Sequence, residues 1–260
     1  MNIITVTTDF GTRDWFVGVI LGIQPKAIIV DLAHDIASGD IRGGAFSLMA
    51  GYSLFPKGTV HVAVVDPGVG SPRQAIAVQT ANYFFVGPDN GMLSFALARE
   101  KIKSVHRLEN EKFFLKPASR TFHGRDIFAP VAAHLSRGVA IAQFGPALKE
   151  FVRLDWPQVQ VGDNKIEGEI VYVDRFGNLI TNIDAESLRS FGDKPCEVFA
   201  RNKRLCPIAP FYGAVPVGRS LAVTGSTGFL EIAINGASAA ERLRLRVGDA
   251  LSVRPWIKSR

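Results

Sequence analysis

The sequence predicts an α/β fold in two parts: an N-terminal domain over residues 1–155 with a mostly parallel sheet flanked by helices, and a smaller C-terminal antiparallel β-barrel-like domain over residues 160–260. Three observations predict it. In the first half, short apolar runs alternate with longer segments of helical spacing, the pattern of a parallel sheet covered on both faces. At 155–158 the stretch "DWPQ" reads as a linker. Beyond it the apolar runs are short, and turn residues recur about every ten positions, as in small barrels and sandwiches.

Taken in order, "IITVT" (3–7), "AIIVD" (27–31), "VHVAVV" (60–65) and "QAIAVQ" (74–79) read as buried strands, being apolar, β-branched and too short for helices. Residues 15–23, 41–52 and, after the turn "GPDNG", 91–100 carry helical spacing. "TFHGRDIFAP" (121–130) opens another helix near His123. In the second half "EIVYVD", "LITNI", "EVFA", "LAVTG", "FLEIAI" and "ALSV" read as strands, "RNKR" (201–204) as a hairpin turn, and Ser238 to Glu241 as a capping box.

Composition excludes several functions. The chain is 47% hydrophobic, which rules out disorder, and carries a net charge of +6. That excess is even: 16 basic against 13 acidic residues before Pro157, and 14 against 11 after it. No clustered cationic face is present, so nucleic acid is not expected as a partner. No run of 18 apolar residues suggests a membrane span, and no basic, apolar and small-residue leader opens the chain. Cys196 and Cys206 then read as free thiols in a soluble cytoplasmic protein. No Cys or His pairs occur at ligand spacing, so no metal is expected. A Ser-His-Asp hydrolase is disfavoured by the missing Gly-x-Ser-x-Gly elbow.

Loops at the carboxyl ends of strands in such sheets carry ligand sites. Three of them hold polar residues here. In "DPGVGSPR", Asp66 and Arg73 stand at the two mouths of a glycine-rich loop, as a loop-stapling ion pair or as a site. In "TTDFGTRDW", Asp9 offers acceptors suited to a vicinal diol, and Asp14 is either a second such group or an N-cap. "DLAHDIASGD" follows the second strand. Of the five histidines, His123 alone sits at a helix start beside a glycine, which leaves room for a small molecule. In "VDRFGNLITN", Asp174, Phe176 and Asn178 suit either a turn or a purine stacked on Phe176 and read by Asn178. "GSTGFLEIAING" is a glycine-bracketed strand with Ser226 and Asn235 at its polar ends and Glu231 on one face.

Together "TDFGTRDWFVG", "DPGVGSPR", "TFHGRDIFAP", "RFGNLITNI" and "GFLEIAING" resemble the S-adenosyl-L-methionine hydroxide adenosyltransferases, or SAM hydrolases, relatives of the SAM-dependent fluorinase and chlorinase. The resemblance runs from about residue 3 to 252. It implies hydrolysis of S-adenosyl-L-methionine at the ribose C5′, giving adenosine and L-methionine. It places the catalytic residues at Asp66, Arg73 and His123. Ribose binding falls on Asp9, and further substrate contacts on Asp174, Phe176, Asn178, Ser226 and the segment Ile234, Asn235 and Gly236, with Asp14 and Glu231 as added candidates. The resemblance implies no cofactor, SAM being the substrate, and a homotrimer with active sites between subunits. Where the halogenases carry an aromatic residue after the second strand, this chain has Gly39, and Asp66 stands where they carry an uncharged residue. A fixed negative charge repels halide and can accept a hydrogen bond from water. A SAM-dependent halogenase and a non-catalytic nucleoside-binding module are the alternatives.

Overall fold

A computed structural model describes residues 2–11, 14–192 and 194–256, with Asp14 represented by its backbone alone. The chain divides into two compact units, Met1–Asp155 and Trp156–Arg260.

The first unit is built on β1 (Ile3–Thr8), α1 (Asp14–Ile23), β2 (Ile28–Ala33), α2 (Ile41–Gly51), β3 (Val60–Val64), β4 (Ala75–Thr80), β5 (Phe84–Pro88), α3 (Ser94–Leu97), β6 (Ile102–Arg107) and α4 (Ala129–Ser136). Its sheet has the order β2-β1-β3-β5-β4-β6. β1, β2, β3 and β5 run parallel, and β4 is antiparallel to both neighbours. β3 shows why both faces are covered. Val60, Val62 and Val64 enter one core with Phe16 and Ile20 of α1 and Val131 and Leu135 of α4, while Ala63 and Val65 enter a second with Leu48 of α2 and Ala96 of α3. Alternate side chains of a strand face opposite sides, so β3, buried at every position, serves both cores.

Two expectations change here. The helix expected over 91–100 is the single turn α3 at Ser94–Leu97. β5 and β6 are absent from the sequence reading: β5 ends in Gly-Pro, which argues against a strand, and β6 mixes charges into an edge strand.

The second unit comprises β7 (Gln160–Gly162), β8 (Lys165–Val173), β9 (Leu179–Asp184), α5 (Ala185–Arg189), β10 (Cys196–Ala200), β11 (Lys203–Pro207), β12 (Ser220–Thr224), β13 (Phe229–Ile234), α6 (Ala239–Leu243) and β14 (Ala250–Pro255). An antiparallel sheet runs β11-β10-β14-β8-β9-β13-β12, with β7 beside β8. Ile208 bridges Ala222, so the two edges meet and the sheet nearly closes. The "RNKR" turn is the expected hairpin: Arg201 and Asn202 both have positive φ, 50° and 61°, the type I′ geometry. Ser238 caps α6 by accepting from the Glu241 N–H at 3.2 Å. Cys196 and Cys206 are free, and burial pushes the Cys206 thiol up to about 12. Among the described residues no helix is long and apolar enough to cross a membrane.

One buried group makes the first unit acid-sensitive. His61 on β3 is fully buried, with Nδ1 2.7 Å from Thr5 Oγ1 and its ring among Tyr52, Phe55, Tyr83 and Phe85. Burial lowers its pKa to about 3. The unfolded chain therefore binds a proton below pH 6.5 that the folded chain refuses until about 3. Stability is lost as pH falls through that window, at about 1.4 kcal/mol per unit. Between pH 6.5 and 5 the protein is expected to lose about 2 kcal/mol more than a His61→Phe variant in urea unfolding. Equal losses overturn this reading.

Candidate active site

The loop from Asp66 to Arg73 leaves the carboxyl end of β3 and returns as β4. Its backbone folds through two successive turns, Val69 N–H to Asp66 O at 3.2 Å and Ser71 N–H to Gly68 O at 3.1 Å. Gly70 has φ +77°, and a Cβ there would lie 2.3 Å from the carbonyl oxygen of Arg120. Only glycine satisfies both the conformation and the approach of the segment that carries His123.

Asp66 and Arg73 meet in a bidentate pair. Arg73 Nε donates to Asp66 Oδ1 at 2.9 Å, and its terminal NH2 group donates to Oδ2. The side chains are only 5% and 10% exposed, which separates them from an ordinary surface ion pair. The same terminal nitrogen lies 2.9 Å from His123 Nδ1. A guanidinium only donates, so Nδ1 accepts and the neutral imidazole carries its proton on Nε2. Burial lowers the His123 pKa below its ordinary value, the Arg73 cation adds to this, and the carboxylates of Asp66 and Asp126 oppose it. Arg73 also lies over the Phe128 ring, 5.4 Å from its centroid.

His123 precedes a π-helical turn, Gly124–Phe128, that leads into α4. Such turns interrupt the ordinary helical ladder and recur at functional sites. The space beside Gly124 holds no room for a ligand: a Cβ there would meet the rings of Phe10 and Phe16 at 2.9 and 3.0 Å. The glycine admits the loop after β1. Asp126, fully buried, holds the preceding segment by accepting from Ser119 N–H at 2.7 Å and from Arg125 Nε at 2.6 Å.

Asp9 follows β1, and its Oδ2 accepts from Gly39 N–H at 2.9 Å, leaving further lone pairs open. A Cβ placed on Gly39 would lie 3.7 Å from Pro67 Cβ of the Asp66 loop, so the loops after β1, β2 and β3 converge. Asp14 is the first residue of α1, and its side chain lies outside the described residues. Sequence reasoning missed the "GPDNG" turn as a support. Asn90 Nδ2 donates to Val65 O at 2.8 Å and Asp89 N–H to Gln74 O at 2.9 Å, so the turn after β5 holds both feet of the Asp66 loop.

In the second unit, Asp174 makes turn chemistry. Its Oδ1 accepts from the N–H of Phe176 at 2.9 Å and of Asn178 at 2.8 Å, and its Oδ2 from Asn178 Nδ2 at 3.0 Å. Phe176 is 63% exposed, with the Arg175 guanidinium 4.7 Å over its ring. Tyr212 donates to Glu231, whose carboxyl is raised by burial and further by Asp174, the Tyr212 bond opposing. Ser226 is exposed in the turn between β12 and β13. The Ile234 side chain belongs to the core, Asn235 Nδ2 donates to Val215 O at 2.8 Å, and Gly236 adopts φ +78°.

The chain matches the family models for the SAM hydroxide adenosyltransferase N-terminal domain over residues 4–145 and C-terminal domain over residues 168–252. The chain belongs to the SAM hydroxide adenosyltransferase family. It is 38% identical over 257 residues to an (R)-S-adenosyl-L-methionine hydrolase of Salinispora arenicola, covering 96% of this chain and 97% of that one. A fluorinase of Nocardia brasiliensis is 25% identical over 293 residues, covering 97% and 96%. The crystal structure of an uncharacterized conserved protein from Thermotoga maritima superposes with a TM-score of 0.89 at 35% identity, covering 97% of this chain and 99% of that one. Within the adenosyltransferase family, then, this chain is more similar to the hydrolase than to the halogenase.

Proposed function

We propose that the chain hydrolyses S-adenosyl-L-methionine at C5′, giving adenosine and L-methionine, with Asp66, Arg73 and His123 as the catalytic residues. The observation that carries this is the part-buried Asp66–Arg73–His123 network, in which Arg73 is within hydrogen-bond reach of both Asp66 and His123, three polar groups from two loops. In the reaction a water oxygen bonds C5′, the C5′–S pair returns to sulfur to leave a neutral thioether, and one water proton departs. The sulfonium needs no acid. Water is the weak partner, its pKa being about 15.7. Arg73 stabilises charge developing on the attacking oxygen. With Nδ1 held by Arg73, His123 presents an Nε2 donor that orients the water. The proton passes to a remaining lone pair of Asp66, whose charge also excludes halide. No cofactor enters.

Asp9 binds the ribose diol. In the C-terminal unit, Phe176 stacks on the purine and Asn178 reads its edge, with Asp174, Glu231, Ser226 and the 234–236 segment around the rest of the substrate. Homotrimeric assembly, with each site shared between copies, is part of the reading; the exposed Phe176, Phe211, Tyr212 and Val217 support it. Sedimentation at three times the chain mass is the expected result. The two free thiols support a cytoplasmic location.

The test is incubation with both sulfonium epimers of SAM in ¹⁸O-labelled water, with and without chloride and fluoride. Equal adenosine and methionine, with label in the adenosine 5′-hydroxyl, are expected. A 5′-halo-nucleoside makes the chain a halogenase, and no turnover makes it a binding module. The pH profile tests the state of His123. Its lowered pKa predicts an acid limb of kcat/KM centred below pH 6.5, since protonated Nδ1 would face the Arg73 donor. His123→Gln is expected to remove that acid limb. A limb centred at or above pH 6.5, or one kept by His123→Gln, overturns the assignment.

A further inference from the structure

Beside Asp9 lies a second hydrogen-bonded chain that the catalytic reading does not use. Thr8, fully buried at the end of β1, has its Oγ1 2.6 Å from His34 Nδ1, and His34 Nε2 lies 3.0 Å from Asp31 Oδ1. The fold builds this contact deliberately. Residues three apart on a regular strand face opposite sides. Here β1 and β2 slip register, Val6 pairing with Asp31 and Thr7 with Ala33, so that Leu32 is extra. The bulge turns the end of β2 and brings Asp31 and His34 to one side.

The donors assign themselves along the chain. A carboxylate accepts from Nε2–H, which leaves Nδ1 to accept the Thr8 hydroxyl proton. Thr8 Oγ1 in turn accepts from Phe10 N–H at 3.3 Å, spanning Asp9. The His34 carbonyl accepts from Gly11 N–H at 2.9 Å, so one residue ties both sides of Asp9 to the end of β2. Gly39 N–H, farther along the same loop, holds Asp9 Oδ2 at 2.9 Å.

We infer that His34, oriented by Asp31 and acting through Thr8, is a positioning residue that fixes the Asp9 carboxylate for the ribose diol. This rests on the reading of Asp9 as the diol acceptor. The relay's bonds run to the backbone on both sides of Asp9, so in this reading it sets affinity and the preference for a ribo over a deoxy sugar, leaving the chemical step alone.

The experiment measures binding of adenosine and of 2′,3′-dideoxyadenosine, with kcat and KM for SAM, in the full chain. His34→Ala is expected to weaken adenosine about tenfold and dideoxyadenosine not at all, raising KM with kcat little changed. His34→Asn, whose carboxamide can still accept from Thr8, is expected to restore part of the preference. If His34→Ala fails to fold, Thr8→Val makes the same test at the other end of the relay. In an Asp9→Asn background, His34→Ala is expected to add nothing. Equal losses for both nucleosides, or unchanged adenosine affinity, overturn the relay while Asp9→Asn still abolishes the preference. If Asp9→Asn itself keeps that preference, the ribose reading falls and the relay with it.

Discussion

Arg73→Ala is expected to lower adenosine release from saturating SAM by about 10³-fold. Arg73 is the one group in contact with both other members of the network, through Nε and its terminal NH2 to Asp66 and through the same NH2 to His123. Its removal has two effects that add. On the proposed mechanism the charge that stabilises the attacking oxygen is lost, and the Asp66 carboxylate, 5% exposed, is left without its partner. The variant also loses stability, by about 3–5 kcal/mol where a buried pair is broken from one side. Single-turnover rates are therefore measured well below the variant's own melting temperature, beside SAM binding. Arg73→Lys separates charge from geometry: an ammonium restores the positive charge but cannot grip Asp66 through two nitrogens while reaching His123. An intermediate rate is expected for it. An unchanged rate in Arg73→Ala defeats the proposed mechanism.

How much of this site was legible in the sequence follows from what each residue's role depends on. β1 and β3 are readable because burial on both faces favours short runs rich in apolar and β-branched residues, although Thr5, Thr7, Thr8 and His61 are buried among them. Asp66 and Arg73 are readable as a pair because both are charged at the mouths of one glycine-rich loop, although spacing alone does not separate a staple from a site. The bidentate grip of Arg73 is not readable from spacing. His123 joins it from 50 positions away, through a π-helical turn for which no local pattern exists. Gly124 misleads in an instructive way. A glycine beside a histidine suggests room for a ligand, but the missing Cβ admits Phe10 and Phe16, a tertiary fact. The "GPDNG" segment has the composition of a plain turn, yet its Asn90 and Asp89 hold the feet of the Asp66 loop. β5 and β6 stay hidden because Gly-Pro and alternating charges mask strands that pairing alone defines. In the second half, turn chemistry and ligand chemistry use the same residues. Asp174 caps its own turn in the structure, through the same carboxylate acceptors that ligand chemistry would use.

Asp9→Asn is expected to raise KM for SAM by about 10- to 100-fold while kcat falls far less, because the substitution changes one hydrogen-bonding face and little else. Asn keeps an oxygen that can accept from Gly39 N–H, the bond that Asp9 Oδ2 makes at 2.9 Å, so the loop is held. Its other arm becomes an NH2 group. On the proposed ribose contact, two hydroxyls that both donate to a carboxylate then meet one donor, and one of them loses its acceptor. A hydrogen bond to a charged group contributes about 1.5–3 kcal/mol, which sets the expected range. Because the diol is bound alike before and during displacement at C5′, the loss belongs to uniform binding and shows in KM. The comparison with Arg73→Ala is the sharper test. If Asp9 held the water and not the ribose, its variant would lose kcat as Arg73→Ala does, and 2′,3′-dideoxyadenosine would bind the wild type as tightly as adenosine.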